Sequence, residues 1–379
     1  MIGLDEQLDT LARRMTDRPE QSFCVPGLAA LVAPDGGEVT SLFIGVDGEG
    51  NAIREDTLFP IASASKLALG LAVLQLVDRN VLELEDQLKK YLPDAAAAYP
   101  GVTLRALLSH TSGLPLEYDL KLTPYNSSIG WKQISQACLD TRLVNRPNSC
   151  VQYSNVGFAL LALVIESVSG QDFKRVLEEQ VFEPLKIEAY IGRSLPRRPA
   201  VVIDMNSSYV GTELEPYNSE FWFHLGTPWA GIYTTAAGLL ALLLAYTKLE
   251  GGMISGATAL EARRDQTEGL SGGFASTDPF LGFRSSNAIS WAPCAWGLGL
   301  ELKGTKRPHW SPPSAALNSF GQIGASGCLA WYDPAHRVGW VALAPRTTDN
   351  GWLLRHGSNL GKIASFAGNH GSASSNDPG

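Results

Sequence analysis

No stretch of this sequence is apolar for long enough to cross a bilayer. The apolar stretch over residues 238–246 has nine residues, where about twenty are needed. The first residues, Met1 to Leu8, hold neither a basic stretch nor an apolar core, so no secretory signal is visible and a cytoplasmic location is the expectation. Runs rich in lysine and arginine are missing too. With a formal net charge of -8, this argues against nucleic acid or an anionic membrane as partner. The five cysteines, Cys24, Cys138, Cys150, Cys294 and Cys328, are scattered, odd in number and without C-x-x-C spacing. Free thiols are expected, with no structural metal, no disulfide frame and no cofactor motif. No internal repeat is present. At 379 residues, 45% hydrophobic and 18% charged, the chain is an ordinary globular protein of about two domains, and small molecules are its expected partners.

Apolar spacing predicts a first amphipathic helix over 4–15, from Leu4, Leu8, Leu11 and Met15. Residues 27–33 and 38–46 flank Pro34-Asp35-Gly36-Gly37 and read as a β-hairpin. Helical patterning then dominates from Lys66 to about Leu249, with helices over 103–108, 131–140, 155–169 and 173–179. Residues 265–293, rich in Gly, Ser and Pro, read as a long loop. Strand-like patterns return over 296–302, 324–332 and 336–344, with a hairpin turn at 333–336, and a helix closes the chain over 350–366. The pattern is a sheet domain, 1–80 with 285–367, into which a mainly helical domain, 81–284, is inserted. Residues 368–379 have the composition of a disordered tail.

Within this frame, Phe59-Pro60-Ile61-Ala62-Ser63-Ala64-Ser65-Lys66 runs from an extended segment into an apolar helix. Serine attacks a carbonyl only when a base takes its proton. Residues three apart share a helix face, so Lys66 can meet Ser63. Burial on nearly every side of that helix lowers a lysine pKa by disfavouring the ammonium, which makes Lys66 a candidate base. An S-x-x-K match is expected roughly once or twice by chance in a chain this long, so other segments must support it.

Gln152-Tyr153-Ser154-Asn155 opens a helix. In an extended approach residues two apart point the same way, so Tyr153 and Asn155 can both face the Ser63/Lys66 pair. A phenol can relay a proton to a leaving group, and an asparagine can bond both lysine and substrate. Aromatics crowd residues 217–233, and Trp222 and Trp229 are candidates for a pocket wall. His110, in Ser109-His110-Thr111-Ser112-Gly113, is read as a turn-bonding residue rather than a base. Gly269-Leu270-Ser271-Gly272-Gly273 matches G-x-S-x-G but lacks the strand before and the helix after that a nucleophile elbow needs.

Together, residues 59–66, 107–115, 153–155 and 320–334 resemble, in identity, order and spacing, the serine β-lactamase-like family. The likeness is to its class C branch, which includes class C β-lactamases, D-alanyl-D-alanine peptidases, and esterases and transacylases. The resemblance implies an α+β fold, an antiparallel sheet flanked by the N- and C-terminal helices with an inserted helical domain, and an active site between them. It makes Ser63 the nucleophile, Lys66 its lysine, Tyr153 the general base/acid and Asn155 the second polar residue. It also places Gln322-Ile323-Gly324 where the family carries K-T-G or H-x-G, which marks Gln322 and Gly324 as substrate-binding. Ala325 then falls where a backbone amide joins that of Ser63 in the oxyanion hole. A neutral Gln322 departs from the pattern and weakens recognition of a substrate carboxylate.

The expected function is a serine esterase or acyltransferase that forms an acyl-Ser63 intermediate from a small ester, amide or acyl substrate. The alternatives are a β-lactamase or D-alanyl-D-alanine peptidase, and a catalytically degenerate binding module.

Overall fold

A computed structural model of the chain describes residues 3–274 and 289–371. Helix α1 (Leu4–Thr16) buries Leu8, Leu11, Ala12 and Met15 along one stripe, as helical spacing requires. Strands β1 (Gly27–Pro34) and β2 (Thr40–Gly45) form the expected hairpin. Two apolar helices follow, α2 (Lys66–Asp78) and α3 (Asn155–Ser169). The chain returns as β3 (Glu301–Leu302), β4 (Phe320–Gly324), β5 (Cys328–Asp333) and β6 (Val338–Leu343) before closing in α4 (Trp352–Gly371). The sheet order is β2-β1-β6-β5-β4-β3, every pair antiparallel. Strands from the two ends of the chain therefore meet at β1 and β6, and most of the helical segments lie between them in sequence.

Alternation along the strands gives the sheet two apolar faces. Leu28, Ala30, Val32, Trp331 and Trp340 pack with Leu8 and Leu11 of α1 and with Trp352 and Leu360 of α4. Ala29, Leu31, Ala330, Val341 and Leu343 share the other core with Leu67 and Leu71 of α2 and Phe158 of α3. Helix α2 is buried from Lys66 to Leu76, so the polar Lys66 and Gln75 within that span are not there for solubility.

The structure corrects several sequence boundaries. The strand expected over 296–302 is reduced to β3, because the chain reverses where Gly297 N donates to Leu300 O at 2.9 Å and Gly299 takes φ +77°. The pattern over 324–332 is a turn leading into β5, with β4 lying before it. Helix α4 runs to Gly371, so residues 368–371 of the expected tail are helical. A Cβ at Gly368 would come within 2.0 Å of His336 O; residues 372–379 lie outside the described residues. The expected loop over 265–293 contains short strands at Gly272–Gly273 and Ser290–Trp291, and its residues 275–288 lie outside the described residues.

One junction ties the sheet to the Ser63 segment. A Cβ on Gly324 would lie 2.2 Å from Ile61 O and 2.5 Å from Cys328 Sγ. Gly324→Ala is therefore expected to lower stability by about 1–3 kcal/mol, the usual cost of overpacking. A denaturant midpoint equal to that of the parent protein would show that this junction yields.

Candidate active site

Ser63 sits in a 3-10 turn, Ala62–Ser65, that leads directly into α2. The turn is pinned from two sides. Ile61 N donates to Ile232 O at 3.0 Å, and Ile232 N donates to Ser65 Oγ at 3.2 Å. From the sheet, Ser326 Oγ donates to Pro60 O at 2.6 Å and Cys328 Sγ to Ile61 O at 3.1 Å. Ala62 is held at φ +44°, a left-handed conformation that costs a non-glycine residue about 1–3 kcal/mol and tends to occur at functional sites.

Lys66 Nζ lies 3.3 Å from Ser63 Oγ, 2.7 Å from Asn155 Oδ1 and 3.4 Å from Trp229 O. The side chain is fully buried. Burial pushes its pKa well below the ordinary 10.5, and the Glu117 carboxylate pulls it partly back. In its neutral form the amine has two N–H donors and one lone pair. Asn155 Oδ1 and Trp229 O can only accept, so they take both donors. The lone pair is left for Ser63, whose hydroxyl can then donate to it.

Tyr153 shifts the other way. Burial raises its phenol pKa, and the nearby Ser63 hydroxyl, which favours ionisation, does not offset this. Its hydroxyl meets no described partner at hydrogen-bond geometry, and the Lys66 amine packs 4.6 Å from its ring centroid. A lysine held toward the neutral amine and a tyrosine held as the phenol can serve as a base and an acid, their environments pushing the two in opposite directions.

Residues 152–155 owe their position to a clamp. Gln152 N donates to His110 O at 2.8 Å, and Ser154 N to His110 Nδ1 at 3.0 Å. Ser154 Oγ donates to Pro115 O at 2.6 Å, and Asn155 N to Leu116 O at 2.8 Å. Ser154 also caps α3 by accepting from Gly157 N. The side chains alternate as expected, with Tyr153 and Asn155 toward Lys66 and Ser154 away from it. His110 is buried, held toward the neutral imidazole by desolvation, and stacked 4.4 Å from the Tyr153 ring. It holds a turn, as read from the sequence. The segment around Ser271 is part of the scaffold too: Gly272 pairs with Val151, a Cβ on Gly272 would lie 1.9 Å from Val151 O, and Gly273 O accepts from Tyr153 N at 3.1 Å.

Ser63, Tyr153, Asn155, Trp222, Trp229 and Ala325 all line one cavity of about 440 Å³. Among the described residues, the Ala325 N–H donates no hydrogen bond, which leaves it available to an oxyanion. Gln322 and Gly324 do not line the cavity, whereas Ile323 does. Strand alternation is the reason: Ile323 takes the cavity side, and Gln322, 1% exposed, takes the opposite face. Gly324 serves the close approach to Ile61. Tyr217, from the aromatic stretch 217–233, is also on the wall; the sequence reading missed Tyr125 and Tyr209 there, and the two acids Glu117 and Asp349. Glu117 accepts a hydrogen bond from Asn155 Nδ2. Its signal in the sequence was only its place just after the Ser109–Pro115 turn.

A family model described as Beta-lactamase matches residues 11–355. Penicillin-binding protein 4 of Amycolatopsis lactamdurans is 32% identical over 167 residues, 42% of this chain and 43% of that protein. The matched part thus spans less than half the length of that curated relative. A β-lactamase of Mycobacterium bovis superposes with a TM-score of 0.62 at 25% identity, over 91% of this chain and 96% of that one. The D-amino acid amidase of Ochrobactrum anthropi superposes with a TM-score of 0.72 at 17% identity, over 97% and 99%.

Lys66 gives stability a pH dependence of definite sign. Its folded-state pKa lies below its value of about 10.4 in the unfolded chain, so between the two the unfolded state holds the extra proton and stability rises with pH. Lys66→Met removes this dependence. Its stability relative to the parent protein should fall between about pH 7 and about pH 9.5 in denaturant titrations. A difference that stays constant would mean that Lys66 carries its charge in the folded state.

Proposed function

From the premise that the chain belongs to the Beta-lactamase family, we propose that it is a serine hydrolase or acyltransferase acting through an acyl-Ser63 intermediate on small carboxylic esters or amides. The observation that carries this reading is the arrangement around Lys66 Nζ, which has two obligate acceptors, Asn155 Oδ1 and Trp229 O, and Ser63 Oγ all within 3.4 Å. Ser63 gives its proton to Lys66 as Oγ bonds to the substrate carbonyl carbon. The negative oxygen that forms is met by the main-chain N–H groups of Ser63 and Ala325, the usual electrostatic device of acyl transfer. Tyr153 donates its phenolic proton to the departing oxygen or nitrogen and recovers one from Lys66. Water or a second nucleophile then takes the acyl group from Ser63.

The lining supports a substrate without a carboxylate. Glu117 and Asp349 bring negative charge to the cavity, and the cation in the lining besides Lys66's neighbourhood is the exposed Lys121. Gln322, at the position of the family's cationic residue, is neutral and faces away from the cavity. An anionic substrate would meet like charge there without a charge-assisted partner.

Ser63→Ala is expected to abolish turnover, and Lys66→Ala and Tyr153→Phe each to lower kcat by about 10² to 10⁴, the range for a lost general acid or base. Initial rates on p-nitrophenyl butyrate measure this, and parental activity in Ser63→Ala would refute the mechanism. In the same assay, kcat/KM for p-nitrophenyl butyrate should exceed that for nitrocefin. The reverse order would assign the chain to the β-lactamase or peptidase reading.

A further inference from the structure

Asn155 has one amide and two demanding neighbours. Its oxygen lies 2.7 Å from Lys66 Nζ, and its nitrogen donates to Glu117 Oε1. An amide can sit either way round, and its neighbours decide which. We infer that Glu117 is a positioning residue that locks the Asn155 amide with its oxygen toward Lys66, leaving the amine's single lone pair to Ser63. The inference rests on the reading of Lys66 as the base for Ser63.

A carboxylate accepts hydrogen bonds and has none to give, so Asn155 must turn its NH₂ toward Glu117 and its oxygen toward Lys66. In the flipped amide, that NH₂ would face Nζ and claim the lone pair. Lys66 would then present an N–H to Ser63 Oγ and could not receive its proton. Glu117 is held in place by the chain just before it, where Pro115 O and Leu116 O accept from Ser154 Oγ and Asn155 N at 2.6 and 2.8 Å. The lock is therefore built into the clamp that positions Asn155 itself.

The groups facing Lys66 from the packed elements are Ser63 on its own turn, the Tyr153 and Phe158 rings, Asn155, the Trp229 carbonyl, and the more distant His110, which burial holds toward the neutral form. Glu117 is the carboxylate among the charges acting on Lys66, and it favours the ammonium. Removing it has two separable consequences. Loss of the charge moves the Lys66 titration to lower pH, whatever replaces it. Loss of the acceptor frees the amide, unless the replacement can accept from Nδ2.

Glu117→Gln and Glu117→Ala in the full chain separate the two. Lys66 is titrated by the ¹³Cε shift of labelled lysine, its signal assigned by its disappearance in Lys66→Met. Both variants should titrate at lower pH than the parent protein. On p-nitrophenyl butyrate, Glu117→Ala should lose about tenfold or more in kcat, the scale of a lost hydrogen bond to a charged group, with KM nearly unchanged. Glu117→Gln has an amide oxygen that can accept from Asn155, so it should retain most of kcat. An unmoved Lys66 titration in both variants, or equal losses of kcat in the two, would overturn the inference. A parent protein inactive on the ester would instead count against the proposed activity; the Asn155 side-chain ¹⁵N–¹H signals would then decide the role of Glu117, with the parental pattern expected in Glu117→Gln and an altered one in Glu117→Ala, and one pattern in all three overturning the lock.

Discussion

The site depends on keeping one amine out of water. Lys66 Nζ is surrounded by Ser63, Asn155, the Trp229 carbonyl and the faces of two aromatic rings. In water the same group would be an ammonium, with no lone pair to offer. Desolvation works against charge of either sign, so it moves Lys66 toward the amine and Tyr153 toward the phenol. One physical cause thus supplies both a proton acceptor and a proton donor beside the same serine.

Holding that arrangement takes six stretches that lie far apart in the chain. The Ser63 turn is pinned to Ile232 on one side and to the β4–β5 turn on the other. The Tyr153–Asn155 segment is clamped to residues 110–116, and the Gly272–Gly273 strand supports it from behind. Each of these links has a main-chain group on at least one side, and the side chains of Ser65, Ser326, Cys328, His110 and Ser154 complete the rest, so the scaffold depends on these residues as well as on the backbone. The Ala62 backbone, at φ +44°, is the local cost of presenting Ser63 in this way.

Much of this was legible in the sequence for reasons that are local. Ser63 and Lys66 are one helical turn apart, and Tyr153 and Asn155 are two residues apart on an extended stretch, so spacing alone puts each pair on one side. The sheet was readable from the hairpin at each end of the chain, because alternation and turn residues lie close together. Glu117 was not readable, since its role arises from contact with Asn155, 38 residues away. Gln322 was placed at the right strand but on the wrong side of it: β4 brings Ile323 to the cavity, and one step along a strand reverses the face. Strand 296–302 failed for a similar reason, because the Gly297–Leu300 reversal is set by Gly299 rather than by the apolar pattern. The tail boundary moved because Gly368 packs on His336, a contact that composition does not reveal.

The central claim concerns where protons sit around Lys66, and neutron diffraction from a deuterium-exchanged crystal of the resting protein near neutral pH locates them directly. The account predicts two deuterons on Nζ, aimed at Asn155 Oδ1 and the Trp229 carbonyl, with the Ser63 deuteron on Oγ pointing at Nζ. Three deuterons on Nζ, one of them directed at Ser63 Oγ, would contradict it.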